Sequence, residues 1–254
     1  MDLGLETFDM ITLDKMEHIR LMNRIDTKYL IRTEFLPEIL SMLRSNYYVQ
    51  DISGKRSFDY LTLYYDTPSY AMYHSHQNGK SERIKIRTRE YCDSNLCFLE
   101  IKTKSNKGLT QKIRIKNNRL DSLDSTESMR FLNLHSAYPS SMLEAKLMTY
   151  YKRITLVNKA ETERLTIDYD LQFQNKCTDW KVKLPCMTII ELKRKKWAHS
   201  LIEDKLNDIH IKPYHISKYC LGTALTDLRV KHNNIKSKIL YIHKLTDFIY
   251  EQHA

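Results

Sequence analysis

Arg83, Lys85, Arg87 and Arg89 occupy every second position of one short segment, with Ile84 and Ile86 between them. In an extended chain alternate side chains share a face, so these four cations stand in one row with no acid among them. Two unit charges 4 Å apart repel by roughly 1 kcal/mol in water and about 4 kcal/mol at an effective dielectric of 20, and a string of phosphates would relieve that repulsion. The pattern recurs along the chain. Lys112, Arg114 and Lys116 alternate with Ile113 and Ile115, and Glu100, Lys102 and Lys104 oppose Leu99 and Ile101. Met187, Ile189, Glu191, Lys193 and Lys195 oppose Ile190 and Leu192, while Arg24, Asp26 and Lys28 share a face of an earlier segment. A water-facing sheet surface accounts for any one of these segments. As a set they depart from the mixed signs of a solvated surface and describe a basic channel, whose sparse carboxylates would hold a cation.

Strands must present these rows. Alternating stretches at 22–31, 57–66, 82–91, 97–104, 109–116, 147–157, 161–171 and 185–195 predict eight of them, with Asn158-Lys159-Ala160 as one hairpin link. Helical spacing appears at 33–44, where Thr33 would cap a run of Phe35, Leu36, Ile39, Leu40 and Leu43, and at 126–134, 200–209, 217–229 and 233–250. The expected fold is α+β: an eight-stranded antiparallel β-barrel tunnel with flanking helices. Residues 1–229 would form a single domain and 230–254 a C-terminal helical extension.

Composition sets the bounds. The 254 residues carry 41 Lys+Arg against 31 Asp+Glu, a net charge of +10, with 42% apolar residues, which excludes a disordered polar chain. Five glycines and five prolines argue against glycine-rich phosphate loops and flexible linkers. The five cysteines form no CxxC pair and no zinc spacing, which points to a reducing cytoplasm. Met1 to Lys15 lacks the pattern of a signal peptide, and no run of about 18 apolar residues is present. A polyanionic partner therefore remains: nucleic acid, anionic lipid or a phosphate compound. Other features read as structural. His74-Ser75-His76 fits a surface loop, and the tyrosines at 47, 48, 60, 64, 65, 70 and 73 fit core or interface positions better than base stacking. Lys193-Arg194-Lys195-Lys196 fits a solvated strand end, and Ser217-Lys218 lacks the third group of a nucleophile–base arrangement.

An ordered set of short motifs resembles a known family. Asn23-Arg24-Ile25-Asp26-Thr27-Lys28-Tyr29, Leu63-Tyr64-Tyr65-Asp66-Thr67, Arg87-Thr88-Arg89-Glu90-Tyr91, Glu100-Ile101-Lys102, Tyr151-Lys152-Arg153, Arg164-Leu165-Thr166-Ile167-Asp168, Glu191-Leu192-Lys193 and Ser217-Lys218-Tyr219 follow one another as in the triphosphate tunnel metalloenzymes. The nearest branch is the VTC catalytic domain, the polyphosphate polymerase of vacuolar transporter chaperones and its bacterial relatives. The resemblance runs from about residue 20 to 225. It implies a tunnel for triphosphate or polyphosphate with a divalent cation, Mn²⁺ or Mg²⁺. It implies phosphate binding by Lys28, Arg87, Arg89, Lys102, Lys112, Arg153 and Lys218, a metal on Glu191, and Tyr151 and Ser217 as hydrogen-bond donors to phosphate. Arg83, Lys85, Arg114 and Lys193 join the substrate-binding set from the face pattern; Arg153 and Lys218 rest on the resemblance alone.

The implied reaction passes the γ-phosphate of ATP to a growing polyphosphate chain. Hydrolytic relatives open with an ExExK strand, whereas this strand reads Arg24-x-Asp26-x-Lys28, which disfavours water activation and leaves triphosphate hydrolysis as the alternative. A non-catalytic polyphosphate-binding module is a third reading. Nucleic-acid binding predicts a surface stripe instead. The sequence shows no membrane insertion and no room for a phosphate-sensing domain, so any export of product would need a membrane-protein partner.

Overall fold

The alternation of branched apolar and charged residues builds long strands whose two faces have opposite tasks. The computed structural model describes residues 2–19, 24–107, 109–195 and 199–246. Within them lie β1 (Asp9–Ile11), α1 (Leu13–His18), β2 (Arg24–Arg32), α2 (Leu36–Leu43), β3 (Tyr47–Gln50), β4 (Phe58–Asp66), α3 (Ala71–Gln77), β5 (Arg83–Tyr91), β6 (Leu96–Lys104) and β7 (Thr110–Lys116). The chain continues through α4 (Thr126–His135), β8 (Glu144–Asn158), β9 (Glu163–Asn175), β10 (Lys181–Leu184), β11 (Met187–Lys195), α5 (Leu201–Asp208), α6 (Lys218–Thr226) and α7 (Lys236–Thr246). The eight expected strands are β2, β4 to β9 and β11, in the antiparallel order β2-β11-β9-β8-β4-β5-β6-β7. β1 pairs parallel with β3, β3 pairs with β8, and β10 with β9.

The barrel does not close. Among the described residues β2 and β7 end the sheet without pairing. The free edge of β2 is taken instead by the segment before α6: Tyr29 bridges Pro213, and Tyr214 N donates to Lys28 O at 2.7 Å. Closure would also set the Lys28 row against the Lys112 row, and like charges directly opposite destabilise a strand pair. The sheet nevertheless curls, because Asp26 and Lys28 of β2 line one cavity with Lys102 and Lys104 of β6 and Thr110 of β7.

Two apolar cores cover the convex face. Leu36, Ile39, Leu40 and Leu43 of α2 and Ile202 and Leu206 of α5 pack on Ile154, Leu165, Ile167, Ile190 and Leu192. Phe131 and Leu132 of α4 pack on Leu63, Ile86, Leu99 and Ile101. On the concave face, Tyr219, Cys220, Leu221, Ala224 and Leu225 of α6 share a third core with Tyr60, Tyr64, Leu147, Tyr151, Phe173 and Ile189. Gly222 lets α6 approach closely, since a Cβ there would stand 2.5 Å from Phe173 Cδ1 and 2.7 Å from Leu147 Cδ2. Ile235 and Ile242 belong to the same core, so the tail helix is packed into the domain.

Other expectations are corrected in detail. Thr33 opens a 3-10 turn instead of capping α2, which begins at Leu36. His74-Ser75-His76 lies on α3, partly buried, not in a surface loop. Arg24 falls within β2, but its side chain, like Asn23 and Lys196, lies outside the described residues.

Candidate functional site

Because β5, β6 and β7 are antiparallel neighbours in register, Arg87 lies opposite Glu100, and Lys102 opposite both Lys85 and Lys112. The charged rows therefore merge into one concave patch. Three carboxylates organise it, and each is shared by two cations. Glu100, only 1% exposed, takes Arg87 through Nε at 2.8 Å and Nη2 at 2.7 Å, and Lys112 on its other oxygen. Asp168, 2% exposed, takes Arg153 in a two-bond fork at 2.6 and 2.8 Å, and Lys218 beside it. Glu191 takes Lys193 and, at 3.7 Å, Lys28. Each triplet carries one positive charge more than it offsets. Beside them Arg89 donates to Thr62 Oγ1 at 3.2 Å, and Lys85 to Ser217 Oγ at 3.0 Å. Ser217 also accepts from Cys220 N and so caps α6.

Burial raises the pKa of all three carboxylates, but the cations outweigh it: Arg87, Arg89 and Lys112 hold Glu100 well below the ordinary carboxylate range, as Arg153 and Lys218 hold Asp168, and Lys193 and Lys28 hold Glu191. The lysines bear the complementary strain. Burial, with Lys28 and Lys102 nearby, pushes Lys85 down to about 8, and burial pushes Lys112 down to about 8 against the pull of Glu100. Lys102, Lys193 and Lys218 are lowered by burial as well. Tyr64 is buried, which raises its phenol, yet Arg87, Arg89, Lys85 and Lys218 bring it down to about 8. The buried Tyr151 hydroxyl has no partner among the described residues, with Lys218 4.5 Å and Arg153 5.3 Å from its ring. Surplus positive charge and an unused hydroxyl on one face are the chemistry of a phosphate site.

A family model for the VTC domain matches residues 23–226. The chain belongs to the VTC domain family. No curated protein matches the sequence. Among solved structures, HpAC1 of Hippeastrum, described with a dominant triphosphatase activity, is similar at 13% identity and a TM-score of 0.49, over 83% of this chain and 100% of that one. A candidate adenylate cyclase of Vibrio parahaemolyticus has 12% identity and a TM-score of 0.45 over 79% and 97% of the two chains. PH1819 of Pyrococcus horikoshii has 13% identity and a TM-score of 0.45 over 79% and 96%.

The VTC domain brings most of the expected residues together. Lys28, Lys85, Arg87, Arg89, Lys102, Lys112, Tyr151, Arg153, Glu191, Lys193, Ser217 and Lys218 adjoin one another on the concave face through the contacts above. Arg83 stands at the rim of a cavity of about 620 Å³ that Lys28, Lys85, Lys102 and Glu191 also line. Arg114 stands apart, exposed, 4.5 Å over the Phe98 ring. Sequence reasoning gave no role to Asp168, although it closes a quoted motif, and counted Glu100 among the carboxylates that would hold a cation, whereas it pairs with Arg87 and Lys112. It read Tyr64 as a core or interface ring and His76 as a surface-loop residue, and passed over Lys238; His76 and Lys238 line the cavity from α3 and α7. Burial and the facing Lys85 and Arg83 push the His76 imidazole down to about 3.

The expected divalent cation meets a sparse donor set. Among the described residues no three His, Cys, Asp or Glu side chains cluster as ligands. Glu191 faces lysines, and Asp26 is the other carboxylate lining the cavity. Such a set fits a hard cation that takes most of its oxygens from phosphate and water and only one or two from the protein.

Proposed function

We propose that this VTC domain is a phosphotransferase that moves the γ-phosphate of ATP onto a growing polyphosphate chain. The observation that carries this reading is the surplus of one cation over each inner carboxylate, repeated three times along one concave face. Arg87, Arg89 and Arg153 present planar forks to non-bridging oxygens, while Lys28, Lys102, Lys112 and Lys218 act as point charges. The Tyr151 hydroxyl and Ser217 donate hydrogen bonds to phosphate oxygens. In the transfer an oxygen of the chain's terminal phosphate attacks the γ-phosphorus, and the bond to the β-bridging oxygen breaks with its electron pair leaving on ADP. No proton need move, so the residues act by aligning the oxygens and offsetting their charge. Glu191, with Asp26, would hold a divalent cation, Mn²⁺ or Mg²⁺, which when bound neutralises charge on the phosphate oxygens.

Incubation of the purified protein with ATP and Mn²⁺, followed by gel analysis and assay of ADP and orthophosphate, tests the reading. Long chains with matching ADP are expected. Orthophosphate alone would replace transfer by triphosphate hydrolysis, and tight binding with neither product would leave a binding module.

The lysines add a pH signature. Lys85 and Lys112 lose their protons near pH 8 in the free protein, and a bound polyanion favours the protonated forms. Tripolyphosphate affinity should therefore be highest below pH 8 and decline above it. Binding at pH 8 should take up protons, read as a dependence of the calorimetric enthalpy on buffer ionisation. An enthalpy indifferent to the buffer at pH 8 would place both lysines away from the phosphates.

A further inference from the structure

The concave face has two chemically different ends. Toward α3 and α7 it opens into the 620 Å³ cavity, where Lys28, Lys85, Lys102 and Lys238 stand with no Phe, Tyr or Trp among the described residues of the lining. At the other end the same rows turn aromatic. The row of β5 runs Arg83, Lys85, Arg87, Arg89 and then Tyr91; that of β6 runs Lys104, Lys102, Glu100, Phe98 and Leu96. Tyr91 packs on Tyr60 with ring centres 5.0 Å apart, and meets Phe98 edge-on at 5.8 Å. Leu96, opposite Tyr91 in the strand register, is 44% exposed. Arg114 is exposed, places its guanidinium 4.5 Å over Phe98 and donates to the Tyr91 hydroxyl at 3.4 Å.

We propose that Tyr91, Phe98 and Arg114 form the nucleobase subsite of a nucleoside triphosphate whose phosphates lie on Arg87 and Arg89. The inference rests on the phosphotransferase reading and adds the direction in which the nucleotide lies. Half-exposed rings capped by an exposed cation suit a planar aromatic ligand: a base that displaces the Arg114 guanidinium from Phe98 and slips between them gains a ring on one side and a cation on the other. In the strand register Phe98 faces Arg89, and Tyr91 lies two residues, about 7 Å, beyond Arg89, so a base on these rings sets its phosphates beside Arg89 and onward to Arg87. The described lining of the cavity at the opposite end carries five lysines and no Phe, Tyr or Trp, so it receives the phosphate chain. Stacking accepts any base, and the subsite should not distinguish ATP from GTP.

The test compares ATP, GTP and tripolyphosphate by calorimetric titration of the wild-type protein and of Phe98→Leu and Tyr91→Leu, which keep apolar volume and lose the ring. ATP and GTP should each weaken about ten-fold or more, while tripolyphosphate affinity changes less than about two-fold. Arg114→Gln, at an exposed position, gives the same comparison without touching the core. Equal loss for nucleotide and tripolyphosphate, or no loss for either in all three variants, overturns the subsite and leaves the phosphate reading standing. Failure of the wild-type protein to bind tripolyphosphate at all would overturn the phosphate reading itself, and the subsite with it.

Discussion

Asp168→Asn is expected to destabilise the protein by about 3–5 kcal/mol, the usual cost of breaking a buried ion pair from one side. The carboxylate is 2% exposed and serves Arg153 and Lys218 together. Asparagine keeps the shape but offers one acceptor where two were used, and turns an amide donor toward two cations. For a chain of this size the loss corresponds to a fall in Tm of roughly 10 °C. Tripolyphosphate supplies the missing negative charge, so it should raise the Tm of the variant more than that of the wild-type protein. A gap that stays constant as tripolyphosphate is added would mean that Arg153 and Lys218 are structural cations that no phosphate reaches.

That residue also shows where sequence stops being legible. The strands carrying the site were readable because period-two alternation is a local signal, and it holds from β2 through β11. The short β1, β3 and β10, at three and four residues, are too brief for a period and exist because partners hold them. α3 was missed for a related reason: its capping carboxylate is Asp66, back in β4, which accepts from Met72 N and Tyr73 N at 2.9 Å. Closure of the barrel depends on which segment takes the edge of β2, and Pro213-Tyr214 occupies it. In Tyr151-Lys152-Arg153 cations of both parities sit side by side, so alternation could not tell that Arg153 turns inward to Asp168 while Lys152 turns out to Asp59. The pairing of each cation with its carboxylate is a product of strand register and side-chain reach. Lys112, not the directly opposed Arg114, takes Glu100.

Glu191→Gln should lower turnover by about 10²–10³-fold, equivalent to roughly 2.7–4 kcal/mol of transition-state stabilisation, while tripolyphosphate binding without metal is kept or tightened. Two roles compete for this side chain, and the variant separates them. As a counter-ion it merely restrains Lys28 and Lys193; its removal would free two lysines for phosphate, tighten binding and leave turnover near normal. As a cation holder it is an acceptor that glutamine replaces poorly, so activity should fall and the Mn²⁺ concentration for half-maximal rate should rise. The strong depression of its carboxyl by Lys193 and Lys28 keeps it ionised throughout the neutral range, so protonation does not confuse the comparison. Normal turnover at unchanged Mn²⁺ dependence would remove Glu191 from the chemistry and reduce it to a brace for the two lysines.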